Sequence, residues 1–142
     1  MSGDPRSRRY VRDRSDGVDY QTFIKTEAQR TGLPDDKAEE VARATLKTLA
    51  DRITGGEADD LAAQLPTPLK DPLTKAQDEA ERFDVDEFIR RVSERAHVDP
   101  DTARTGAMAT LATVREAVTP GEFDDVTAQL PQEYRELVGP MA

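Results

Sequence analysis

Apolar side chains recur at helical spacing along most of this chain. Tyr20, Phe23, Ile24, Ala28 and Thr31 fall on one side of a first predicted helix, and Val85, Phe88, Ile89, Val92 and Ala96 do the same further on. The longest stripes are Ala38, Val41, Ala42, Thr45, Leu46, Leu49 and Ile53, and their twin Ala103, Gly106, Ala107, Thr110, Leu111, Val114 and Val118. Small residues at 38, 42, 103, 106 and 107 let neighbouring helices approach closely, so these two helices are expected at the centre of the molecule. Gly32 is a natural left-handed C-cap before Pro34 opens the next element. His97, at the matching place, adopts that conformation at greater cost, so its turn is expected to differ.

Sliding the chain against itself by 65 positions aligns residues 19–73 with 84–138 without a gap. Ala44-Thr45-Leu46 meets Ala109-Thr110-Leu111, and Ala63-Gln64-Leu65-Pro66 meets Ala128-Gln129-Leu130-Pro131. The stretch TKAQDEAERF (74–83) reads as a linker or solvated helix ending in the anchor Phe83. Two units are fewer than an open solenoid needs, but two can cover each other's apolar faces. The expected fold is all-α: a compact bundle of two tandem three-to-four-helix repeats about a pseudo-two-fold axis, packed as one domain.

The corners carry the strongest local signals. Thr54-Gly-Gly-Glu57 and Thr119-Pro-Gly-Glu122 match the T-x-x-E capping box, in which the hydroxyl accepts from the N3 amide and the carboxylate reaches back to the N-cap amide. The residue before a proline leaves the α region, so the following helices should stop at Leu65 and Leu130, with Pro66 and Pro131 opening a last short helix. Gln64 and Gln129 are then placed to bond backbone groups left open at those corners. Thr54, Glu57, Gln64, Pro66, Thr119, Glu122, Gln129 and Pro131 are accordingly read as structural corners.

Composition narrows the chemistry. Acids outnumber Lys and Arg by 29 to 20, which disfavours nucleic acid on the body of the protein. Five lysines beside fifteen arginines, with abundant Asp, give a halophile-like composition. The absence of Cys excludes disulfides, thiolate nucleophiles and cysteine metal sites. No apolar run reaches membrane-spanning length, and the first residues lack the apolar core of a secretory signal, so a cytoplasmic protein is expected. Residues 1–18 are instead a locally basic arm, with Arg6, Arg8, Arg9, Arg12 and Arg14, expected to be disordered.

Catalytic, cofactor and metal motifs are missing. His97 is the single histidine, with Ser93 one turn before it, and a structural role suits it better than a catalytic one. Asp84, Asp86 and Glu87, or Asp99 and Asp101, lack the EF-hand loop and are explained by helix N-caps. Thr45, Thr48, Thr110 and Thr113 either line an interior polar groove or bond back to carbonyls one turn earlier.

Phe23-Ile24, the Ala-rich 38–53 helix, Gly56-Glu57-Ala58-Asp59-Asp60-Leu61 and Ala63-Gln64-Leu65-Pro66, with their second-copy matches, make residues 19–138 resemble the prokaryotic domain of unknown function 2267. Many members carry a Trp-containing stretch after the first AQLP, which this chain lacks. The resemblance implies an all-helical fold and no established activity. The function expected is a protein–protein interaction or regulatory module with an unknown partner, and the residues give no positive ground for an enzyme. The competing reading is a small-ligand or enzymatic site in the cleft between the repeats, using Gln64, Gln129 or the four threonines.

Overall fold

A computed structural model describes residues 19–139. It contains α1 Tyr20–Thr31, α2 Asp35–Arg52, α3 Gly55–Ala63, α4 Lys70–Leu73, α5 Val85–Ala96, α6 Pro100–Ala117, α7 Pro120–Ala128 and α8 Arg135–Val138, with 3-10 turns at Thr67–Leu69 and Gln132–Tyr134. No strand occurs among the described residues, and no helix there is long and apolar enough to cross a membrane. The bounds of α5 to α8 lie 65 residues beyond those of α1 to α4. The basic arm falls outside the described residues.

The long helices α2 and α6 meet in the interior, where α1 and α5 each pack against both of them. Their contact depends on size. A Cβ added to Gly106 would lie 2.2 Å from Cγ1 of Val41, well inside van der Waals contact. Val41 therefore occupies the space that a side chain at Gly106 would need, and the two residues hold matching positions in the two halves. Phe23 and Phe88, on α1 and α5, are fully buried on either side of this crossing. Burial of each large apolar side chain contributes about 1.5–3 kcal/mol relative to exposure.

Local chemistry explains the helix boundaries. Asp19 and Asp84 cap α1 and α5, accepting from the amides of Thr22 and Glu87. Gly32 ends α1 at φ 75°, and its N–H donates to Ala28 O. His97 ends α5 at φ 58° in the same left-handed conformation, donating to Ser93 O, and the turns differ only beyond the cap, where Val98 N–H donates to Ser93 O and Leu33 N–H to Thr31 Oγ1. The cap bond and the tight return to α6 prevail over a steric cost of about 1–2 kcal/mol. Helices α3 and α7 stop at Ala63 and Ala128, two residues before the expected stops at Leu65 and Leu130. There Gln64 N–H and Leu65 N–H turn to carbonyls three residues back, tightening the last turn into 3-10 geometry.

Residues 74–83 form no helix. They are laced to the first half through polar groups: Lys75 Nζ donates to Ala50 O and Ile53 O at 2.8 and 2.6 Å, and Glu81 N–H to Asp51 O at 2.8 Å. Asp78 accepts from Gly55 N–H on its carbonyl and from Gly56 N–H on its carboxylate, supplying partners for the first amides of α3. At the start of α7 the residue matching Gly55 is Pro120, which has no N–H to satisfy. Phe83 lies under Arg91, whose guanidinium sits 4.0 Å from the ring centroid.

Candidate functional site

Most corner residues come together where α3 meets α7. The Thr54 hydroxyl accepts from Glu57 N–H at 3.3 Å, and the Thr119 hydroxyl from Glu122 N–H at 3.2 Å. The other half of each capping box is arranged differently. Thr54 N–H donates to Gln129 Oε1 and Thr119 N–H to Gln64 Oε1, both at 2.8 Å. Gln129 Nε2 also donates to Thr54 Oγ1 at 3.2 Å. Each glutamine thus bonds the helix start of the opposite half rather than a group at its own corner. Pro66 and Pro131 stand at the N-caps of the two 3-10 turns.

With the N-cap amides bonded to the glutamines, Glu57 and Glu122 converge on each other. One ligand oxygen from each of Glu57, Asp60 and Glu122 lies within 4.8 Å of the others. Glu122 is only 8% exposed, and its Oε2 and that of Glu57 are buried without a hydrogen-bond partner. Burial and the adjoining carboxyls of Glu57, Asp60 and Asp125 push the Glu122 carboxyl up to about 8. Near neutral pH this junction can share a proton between carboxyls or hold a hard cation.

A second buried carboxyl lies elsewhere. Glu27 on α1 is fully buried, and Thr110 Oγ1 on α6 lies 2.8 Å from its Oε2. Its pKa is pushed up to about 8 by burial, which outweighs the Thr110 hydrogen bond and the Arg30 charge. Sequence reasoning missed this residue. The signal was present in the alignment, which places Glu27 on the stripe residue Val92.

The remaining candidates are engaged structurally. Thr45, Thr48, Thr110 and Thr113 each donate to the carbonyl four residues earlier, at 2.7–2.9 Å. Thr113 also accepts from Arg30, and Thr48 from Arg95. Ser93 donates to Val98 O, while Asp84 and Asp99 are N-caps. Glu87 pairs with Arg90 and Arg91, which hold its carboxyl down at about 2.

The two AQLP corners differ in openness. Leu65 is buried, and Arg43 Nη1 donates to Pro68 O beside it at 2.8 Å. Leu130 is half-exposed, and a groove of about 310 Å³ opens between Leu130, Pro131, Tyr134 and Val138, with Asp124 and Arg135 on its rim. Met108 stands 65 residues beyond Arg43 and has no donor with which to tie down the second corner.

No curated protein matches the chain. The family model described as an uncharacterized conserved protein, DUF2267, matches residues 20–137, spanning every corner and both buried carboxyl sites. The chain belongs to the DUF2267 family.

Proposed function

We propose that this protein is a non-catalytic interaction module of the cytoplasm, built as two copies of one helical unit about an approximate two-fold axis. The two-fold reading is supported by reciprocal contacts: Gln64 to Thr119 and Gln129 to Thr54, Arg30 to Thr113 and Arg95 to Thr48. The same contacts occupy the Gln and Thr groups that a polar ligand cleft between the halves would use. Residues 19–73 and 84–138 act together as one domain.

The observation that carries the interaction role is the open groove at the second corner. Its apolar floor of Leu130, Tyr134 and Val138, flanked by Asp124 and Arg135, suits an apolar side chain presented by a partner protein. Affinity capture of the tagged chain from a native, high-salt lysate tests this. One stoichiometric protein is expected, lost on Leu130→Asp while the melting curve of the variant stays cooperative. Capture unaffected by Leu130→Asp, or a retained metabolite without a protein partner, overturns the reading.

A further inference from the structure

We propose that the junction of α3 and α7 is a binding site for a divalent cation of the hard, oxygen-seeking class, with Ca²⁺ the best fit. The ligands are Glu57 and Asp60 from α3 and Glu122 from α7, whose convergent oxygens lie within 4.8 Å of one another. Ca²⁺ takes six to eight oxygens at about 2.3–2.6 Å in flexible geometry, so any two oxygens of one shell stand at most about 5 Å apart, whereas Mg²⁺ demands a near-ideal octahedron. Besides the clustering, Glu122 is more than nine-tenths buried, and its Oε2 and the Oε2 of Glu57 are buried with no hydrogen-bond partner. A buried carboxylate oxygen without a donor is costly, and a bound cation removes that cost.

Charge favours the same occupant. Two helix N-termini each contribute about half a positive charge, against three carboxylates in the cluster and Asp125 beside it. The net field remains negative. Asp60 and Asp125 are exposed, which opens a route from solvent and leaves room for water to complete the shell. With three protein carboxylates the expected affinity is weak, with a Kd of about 0.1–1 mM.

The test uses the full chain, stripped with a chelator and titrated with CaCl₂ or MgCl₂ by calorimetry and by thermal unfolding, with NaCl at matched ionic strength as reference. Saturable Ca²⁺ binding is expected, tighter than Mg²⁺ binding. Glu122→Gln should weaken it at least tenfold. Asp60→Asn, which leaves the buried pair intact, should also weaken it at least tenfold, and it serves if Glu122→Gln fails to fold. Asp86→Asn, at an exposed acid on α5, should leave it unchanged. The proposal fails if matched NaCl reproduces the Ca²⁺ response, if Asp60→Asn retains full affinity, or if no saturable heat appears at millimolar Ca²⁺.

Discussion

Two seams of this molecule carry matching contacts and differ at their centre. Where α1 lies on α6, Arg30 donates to Thr113 and pairs with Glu116. Where α5 lies on α2, Arg95 donates to Thr48 and pairs with Asp51. At the heart of the first seam is Glu27 beside Thr110; at the heart of the second is Val92, with Thr45 at the place matching Thr110. Both central residues are fully buried. The position 65 residues beyond Glu27 therefore holds a hydrocarbon where α1 holds a carboxyl. Glu27 makes the first seam sensitive to protons near neutral pH, and Val92 brings no titratable group to the centre of the second.

The largest expected effect breaks the matching of the halves at their crossing. Gly106→Val should cost about 3 kcal/mol or more in urea unfolding, because a Cβ there overlaps Val41. Val41→Gly should cost a similar amount through a cavity and lost helix propensity. If the halves are related by a two-fold axis, combining both substitutions exchanges knob and hole, and at least half of the summed loss should return. Strictly additive losses would contradict the two-fold reading.

Next come exchanges at Glu27 and Val92. The folded pKa of Glu27, about 8, lies above its unfolded value near 4.5, so the folded state binds the extra proton between them. Stability from this group is fully present below about pH 4.5 and declines as pH rises towards 8, by at most about 1.4 kcal/mol per pH unit. Glu122 acts in the same direction, since its pKa is also raised. Glu27→Val should therefore stabilise the protein by about 2 kcal/mol or more at pH 8, do little at pH 5, and flatten part of the pH slope. Val92→Glu should create a second proton-sensitive seam and be strongly destabilising at pH 8. An unchanged slope in Glu27→Val would show that the slope arises at the α3–α7 junction.

Smaller effects sharpen the comparison of the corners. Gln129→Ala should cost about 1–2 kcal/mol, since it leaves the N-cap amide of Thr54 without its acceptor. Gln64→Ala should cost somewhat less, because Gln129 also donates to Thr54 Oγ1 whereas Gln64 accepts from Thr119 N–H. Equal losses would mean that this second bond contributes nothing. The smallest effect is a gain: His97→Gly, which makes the second turn like that at Gly32, should stabilise by roughly 0.5–1 kcal/mol in chemical unfolding.

Spacing and local chemistry alone determined the elements of this protein and their order. Helical stripes, proline stops and threonine N-caps act within a few residues, so the two long helices, the capping hydroxyls and the short C-terminal turns were readable before any fold was known. The limits of local reading show at the glutamates and glutamines of the corners. A capping-box glutamate and its N-cap amide are neighbours in sequence, yet in the folded chain that amide goes to a glutamine 75 residues away in the first half and 55 in the second. The carboxyls thereby released meet across α3 and α7, and the acid at 27 is buried because its face is pressed onto α6. Only tertiary packing decided these outcomes, because hydrogen bonds and burial depend on which surfaces close together, and the spacing of residues along one helix carries no record of what its outer face will touch.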